Sequence, residues 1–410
     1  MNVNDAINFI HSLERFGTKL GLETTAELLS RIGNPHKKLK FIHVAGTNGK
    51  GSTSSYIANI LMAKGYKTGM YISPFVNKFN ERIQINGQFI SDEELSEYVE
   101  IIKNVIDDTC NPTEFEVVTA IGMLHFVKHS CDYVVLEVGL GGRFDATNVI
   151  PVPEVAVITS ISIDHTDLLG DTVSKIAFEK AGIIKEKGTV VTYADNPRDA
   201  DMVFEQTAKN KNCRLIKGDK RKINVVSKSI EQTTFDYKGE RYAISMLGSH
   251  QIYNAVTAIE TANVLGIEKP YIKEGLLNTS FGGRLEVISK KPLVLIDGAH
   301  NYSGVLALKD ALTQYFSGKK ITLVMGMLKD KEYEKCIKTL APLANHFIAT
   351  EPQNPRKLPA KELCTIAGKY TDNTEYYEDK NAAIKKALSY NNDVTCVCGS
   401  LYLIGNICID

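Results

Sequence analysis

The sequence predicts an α/β protein of two domains: an N-terminal one on a mostly parallel sheet with a small antiparallel sheet, and a C-terminal Rossmann-like one. Three observations carry this. Short apolar runs at 41–45, 68–72, 131–138 and 155–161 alternate with segments of helical spacing, as parallel sheets require. Between 223 and 244 the pattern changes to short alternating segments with a turn at Lys238-Gly239, which reads as small antiparallel strands at the sheet edge. Apolar runs then resume at 293–296, 321–325, 346–349 and 394–397. A chain of 410 residues exceeds what one core usually holds. The break at 289–292 places the boundary, giving domains 1–288 and 289–410.

Lys+Arg and Asp+Glu both number 48, so no charge excess points to nucleic acid or an acidic membrane surface. No apolar run reaches the roughly 20 residues that cross a bilayer, and MNVNDAINFI lacks the layout of a signal peptide. A cytoplasmic protein without nucleic-acid or membrane partners is expected. The eight cysteines are scattered and read as reduced thiols, with Cys396 and Cys398 on one face of a core strand. A zinc site is not expected, because no CxxC pair exists.

Along the chain, Ile7, Ile10, Leu13 and Phe16 are spaced for one face of a helix, and a second helix is expected over 25–32. Between them Gly21, Leu22, Glu23 and Thr24 read as a turn. The run FIHVA at 41–45 is a buried strand feeding Gly46-Thr47-Asn48-Gly49-Lys50-Gly51, with a helix expected over 52–63. That is a phosphate cradle of P-loop ATPase type. Backbone N–H groups at a helix start face an anion, the glycines allow close approach, and Lys50 adds a point charge. Ser52 or Thr53 offers a hydroxyl to Mg2+. The general P-loop pattern needs glycine at Val44 and a hydroxyl residue at Gly51, so this is a variant with the hydroxyl one residue later. The expected ligand is a nucleoside triphosphate.

Later strands end in chemistry-bearing residues. Ser73 follows the second strand, before a polar loop through Asn80-Glu81-Arg82, and so sits at a carboxyl edge where open α/β sheets bind ligands. Glu137 tips the run CDYVVLEV, where a carboxylate is costly to bury unpaired. It is either half of a salt bridge or, at a strand end near the cradle, a Mg2+ ligand. The fourth strand leads to Asp164 and His165, and a charged helix over 172–184 carries Lys180, which by itself reads as a solvated lysine. In the helix expected over 248–265, Gln251 and Asn254 share a face suited to an adenine edge, though surface amides and caps look the same. After Phe281-Gly282-Gly283-Arg284, the second domain opens with a strand that turns at Asp297-Gly298-Ala299-His300-Asn301 into a helix. It has no GxGxxG.

These residues fall into blocks: HVAGTNGKGS at 43–52, ISPF at 72–75, NERI at 80–83, LEVGLGGRFDATN at 136–148, DHTDLLG at 164–170, EKAGIIK at 179–185, HQIYNA at 250–255, FGGR at 281–284 and DGAHN at 297–301. In this order and spacing the sequence resembles folylpolyglutamate synthase/dihydrofolate synthase, within the Mur ligase superfamily of ATP-dependent amide-forming enzymes. The resemblance implies that residues 46–52 hold ATP phosphates, with Gln251, Asn254, Arg284 and Asp297 serving the nucleotide. It implies that Ser52, Ser73, Glu137 and His165 ligate Mg2+, two ions in all, and that Lys180 is carbamylated. A monovalent cation is a further cofactor it allows. Lys50, Glu137, His165, Lys180 and His300 are the implied catalytic group.

The implied reaction has a substrate carboxylate attack the γ-phosphorus of ATP to give an acyl phosphate, from which the amine of L-glutamate displaces phosphate. The block Arg143-Phe144-Asp145-Ala146 resembles the bifunctional bacterial form, which also uses dihydropteroate. In that form a pterin site draws on Asp145 and its neighbours, on Glu114, Phe115, Glu116 and Val117, on Gly21 to Thr24 and on Arg82. Read alone, Phe115 is a core aromatic and Asp145 a helix cap. A monomer acting on small molecules is expected. Two other readings are a peptidoglycan Mur enzyme, which carries a further domain before the cradle where this chain has only about 45 residues, and a P-loop binding module without chemistry.

Overall fold

The computed structural model describes residues 1–13, 21–407 and 409, so Phe16 and Cys408 lie outside the described residues. The described residues divide into two compact units, one of 1–13, 21–224, 236–243 and 253–279, the other of 225–235, 244–252, 280–407 and 409.

The first unit is organised on an eight-stranded sheet: β1 (Phe41–Ala45), β2 (Thr68–Tyr71), β3 (Ile83–Ile85), β4 (Gln88–Phe89), β5 (Tyr133–Glu137), β6 (Val155–Ile158), β7 (Thr189–Thr192) and β8 (Arg214–Lys217). Their spatial order is β4-β3-β2-β5-β1-β6-β7-β8. All five residues of β1 are buried, because a central parallel strand is covered on both faces. Its neighbours β5 and β6 run parallel to it, with Val44 opposite Glu137 and Ala45 opposite Ile158. The carboxyl ends of β1, β5 and β6 therefore reach the same edge. Burying each aliphatic side chain of β1 stabilises by roughly 2 kcal/mol, so the strand that feeds the cradle is firmly fixed.

Several expectations are corrected here. The polar stretch after Ser73 is not a loop throughout: a 3-10 helix over Phe79–Arg82 leads into the β3–β4 hairpin, whose turn has Asn86 and Gly87 at φ 48° and 77°. That is the two-residue turn whose twist suits a hairpin. Helices Asp92–Lys103 and Glu114–Lys128 follow, and neither was anticipated. The short helix Thr166–Leu169 separates His165 from helix Val173–Ala181. Strands β9 (Ile223–Lys228), β10 (Thr233–Tyr237) and β11 (Glu240–Ile244) form a three-stranded sheet of their own rather than an edge of the large one. Lys238 and Gly239 make the expected turn, both at positive φ.

The second unit holds β12 (Glu286–Lys290), β13 (Leu293–Asp297), β14 (Ile321–Met325), β15 (His346–Ala349), β16 (Thr374–Tyr376) and β17 (Val394–Cys398), in the order β12-β13-β17-β14-β15-β16. All neighbours are parallel except β12 and β13. Residues 289–292, expected as a break, lie where β12 turns back into β13, inside this sheet. Cys396 and Cys398 are buried in β17, and the described cysteines are all free. Among the described residues no helix is long and apolar enough to cross a membrane.

Candidate active site

The turn after β1 is held in shape by the chain that follows β6. Thr47 N donates to Ser160 O at 2.8 Å, Thr159 Oγ1 to Asn48 O at 2.8 Å, and Thr47 Oγ1 to Ser162 O at 3.1 Å. Thr159, Ser160 and Ser162 are functional support that the sequence reading missed. Their signal was the hydroxyl-rich run that ends the β6 segment. The helix begins at Lys50, two residues before the expected start, with Gly49 as its cap at φ 82°. A Cβ on Gly46 would stand 1.8 Å from Thr159 Oγ1, and one on Gly49 would stand 2.4 Å from Asn254 Oδ1. The second distance places Asn254, a buried residue of helix Ser249–Val264, directly against the cradle. Gln251 lies buried one turn earlier in the same helix.

Lys50 is half-buried, and its Nζ has a long 3.4 Å contact to Thr47 O, which leaves its charge available to an anion. Ser52 is buried in the first turn of its helix. Glu137 is 4% exposed at the tip of β5, and its Oε2 accepts from Ser73 N at 3.4 Å. Lys180 is not a solvated lysine: it is 4% exposed, and its Nζ donates to Gly46 O at 2.8 Å. Burial, and then the charge of Lys50, bring its pKa down to about 7, against the opposing pull of Asp164 and Asp145. His165 follows Asp164 with a positive φ of 50° and an exposed side chain, its backbone N donating to Asp164 Oδ1 at 2.9 Å. Cradle, buried carboxylate and buried amine thus meet at the carboxyl edge of the parallel strands of one sheet.

The residues expected to recognise a pterin fall into two sets, one around helix Glu114–Lys128 and one in the segment after β5, where Arg143 turns to the surface. Thr25, just after Gly21 to Thr24, donates from Oγ1 to Glu116 Oε1 at 2.7 Å, joining the early helix Glu23–Arg31 to helix Glu114–Lys128. Leu22 is the residue before that early helix, and Glu23 and Thr24 open it. Glu116 also closes a capping box with Thr113, so it is committed to structure. Arg82 is buried with its guanidinium 5.3 Å and 5.1 Å from the rings of Phe75 and Phe79, and 3.6 Å from Glu114. Phe115 is half-buried, edge-on to Tyr71, and fills the space a Cβ on Gly139 would need.

Asp145 is buried and caps the 3-10 helix Ala146–Val149, accepting from Thr147 N at 3.0 Å and from Leu140 N at 2.9 Å. Burial raises its pKa, and the bonds from Thr147 and Leu140 offset part of the rise. Thr147 in turn meets buried His43 of β1 at 2.8 Å. Arg143 lies at the surface, paired with Glu179 at 2.7 Å and over the rings of Phe144 and Phe178. Ala146 is buried beside Asp145.

In the second unit, Asp297 at the end of β13 accepts from Leu285 N and Ala299 N, both at 2.8 Å. Burial raises its pKa, and Arg284 counters this. Arg284 Nη1 would stand 2.7 Å from a Cβ on Gly298, and His300 Nδ1 lies 2.9 Å from Gly298 O. Arg284, Asp297 and His300 are therefore one cluster within that unit.

A phosphate cradle with a buried lysine behind it, followed by a second α/β unit, defines a Mur-type ligase. Residues 44–262 match the Mur ligase middle domain, and residues 283–401 match the Mur ligase glutamate ligase domain. The chain is 37% identical to the dihydrofolate synthase/folylpolyglutamate synthase of Bacillus subtilis (strain 168), over 98% of this chain and 97% of that one. It is 30% identical to the protein of the same name in Escherichia coli (strain K12), over 98% and 93%. Among solved structures, the folylpolyglutamate synthase of Thermotoga maritima superposes with a TM-score of 0.87 at 36% identity, covering 98% of this chain and 94% of that one. That of Mycobacterium tuberculosis, complexed with ADP and AMPPCP, gives 0.89 at 29% identity, covering 98% and 97%. The chain belongs to the folylpolyglutamate synthase/dihydrofolate synthase family of Mur ligases, as the motifs implied.

Proposed function

We propose that the protein is an ATP-dependent ligase that joins L-glutamate to the carboxylate of folates and of dihydropteroate, acting as a cytoplasmic monomer. The observation that carries this reading is the meeting of Lys50, Glu137 and Lys180 at one sheet edge, in a chain of this family.

In this reading the N–H groups of 46–52 and Nζ of Lys50 hold the phosphates, while Asn254 beside Gly49 orients the nucleotide. A carboxylate oxygen of the folate attacks the γ-phosphorus. The bond to the bridging oxygen breaks, and ADP leaves with that electron pair. The glutamate nitrogen then attacks the acyl carbon, phosphate departs, and the nitrogen gives up a proton. Lys50 offsets charge on the moving phosphoryl group. Arg284, Asp297 and Gln251 are assigned to the nucleotide, and His300 to catalysis, on the strength of family membership.

The donors fit Mg2+: a buried carboxylate and hydroxyls are the hard oxygen set it takes. Ser52, Ser73 and Glu137 would hold one ion, and His165 with Lys180 as its carbamate would hold a second. Mg2+ bound there supplies neutralisation of phosphate charge. Carbamylation forms a bond from Nζ to the carbon of CO2 and releases one proton, so it needs the neutral amine. A Lys180 pKa near 7 provides it. Mass spectrometry of the folate product tests the proposal: a gain of one glutamyl unit in the presence of ATP is expected, and an unchanged folate would overturn it.

A further inference from the structure

Helices Asp92–Lys103 and Glu114–Lys128 pack together, and where they face each other they carry Glu94, His125 and His129. His125 and His129 are four residues apart, so both imidazoles leave one side of their helix. Glu94, in the first turn of the other helix, meets them. Its Oε1 lies 2.7 Å from His129 Nε2 and its Oε2 3.7 Å from His125 Nδ1, while the two imidazole centroids are 4.6 Å apart. One nitrogen or oxygen from each residue falls within 4.8 Å of the others.

A second observation is independent of this spacing. His125 is only 3% exposed, and its Nδ1 makes no hydrogen bond among the described residues, a state that buried polar atoms rarely keep. A neutral imidazole held this way has a lone pair to give.

We propose that Glu94, His125 and His129 form a site for one divalent transition-metal ion of the zinc class, which ties the two helices together. Two imidazole nitrogens and one carboxylate oxygen are the borderline donors that Zn2+ prefers over Mg2+, with water in the fourth position. The absence of CxxC pairs bears only on thiolate sites; this one is written as His125-Phe-Val-Lys-His129 and completed from another helix. Bonds of about 2.0–2.1 Å require the donors to draw in, which the part-exposed side chains of Glu94 and His129 allow. Lys128 Nζ, 3.5 Å from Glu94 Oε1, competes with the ion, yet it keeps Glu97 at 2.9 Å when the metal takes Glu94. The same helix begins with Glu114, Phe115 and Glu116, so an occupied site stiffens the element that carries these residues at its other end.

The full chain, stripped of transition metals and kept in excess Mg2+, is titrated with Co2+ and then Zn2+. One equivalent of Co2+ should give the intense visible bands of a four- or five-coordinate ion. One equivalent of Zn2+ should abolish them and raise the thermal midpoint. His129→Ala and Glu94→Gln, both at part-exposed positions, should weaken binding by about 100-fold or more, since even indirect partners of a metal matter by 10- to 100-fold. Both variants should keep their Mg2+-dependent ADP formation. Lys128→Met should bind more tightly, because a competing cation is gone. No intense Co2+ band in the wild-type protein, or a band of equal affinity in His129→Ala and Glu94→Gln, would overturn the proposal.

Discussion

The Nζ of Lys180 donates a 2.8 Å hydrogen bond to the carbonyl of Gly46, so helix Val173–Ala181 delivers a buried amine to the first residue of the cradle. Desolvation of that amine sets a pH dependence. Its folded pKa of about 7 lies below the unfolded value of 10.5, so the unfolded chain binds more protons between these limits and stability rises with pH across them. Below about pH 7 the folded protein carries the full penalty, on the order of a few kcal/mol. In CO2-free buffer, Lys180→Met should therefore raise the thermal midpoint more at pH 6 than at pH 9, while lowering ligase activity to near zero. An equal shift at both pH values would show that Lys180 is not desolvated as described.

Replacing Lys50 by alanine should abolish ligation and leave the fold intact. Among the described residues the side chain has a long hydrogen-bond contact to Thr47 O, and the loss of one preorganised cation typically costs on the order of 100-fold or more in rate. Circular dichroism and ADP release check this. Normal ADP release from a folded Lys50→Ala protein would remove the cradle from the mechanism.

Gly49→Ala combines two penalties. The residue sits at φ 82°, where a side chain costs about 1–2 kcal/mol, and the new Cβ would meet Asn254 Oδ1 at 2.4 Å. A lower thermal midpoint together with weaker ADP binding by calorimetry is expected. A variant that loses stability but binds ADP normally would separate Asn254 from the nucleotide.

Asp145→Asn keeps an oxygen for Thr147 but replaces the other acceptor, used by Leu140 N, with an amide. If Asp145 also serves the pterin, activity with dihydropteroate should fall further than polyglutamylation of tetrahydrofolate, measured side by side. An equal loss would mean that Asp145 acts only as the cap of Ala146–Val149.

The sequence made β1 and its turn readable because an unbroken apolar run and clustered glycines leave few alternatives. Helix Glu114–Lys128 escaped because ten of its fifteen residues are buried, so no polar stripe reveals its period. The β3–β4 hairpin had its signal in Asn86-Gly87, which the surrounding polar residues concealed. Strand β12 mixes charged and aliphatic residues and is no more than half-buried, so its end at 289–290 read as part of a break. Within the site, Ser73 and Glu137 were legible as residues at strand ends, whereas β6 stops at Ile158 and His165 instead precedes the short helix Thr166–Leu169. The burial of Lys180 was not legible, since a lysine between helical neighbours carries no local mark of the strand it will be packed against.

ATP cleavage in this protein serves amide formation, and ADP release by the purified protein with Mg2+ and ATP measures that coupling directly. Each substrate is omitted in turn. Release is expected only when L-glutamate is present together with a folate or dihydropteroate. Release at the same rate without glutamate would contradict it and leave a nucleotide-hydrolysing module in its place.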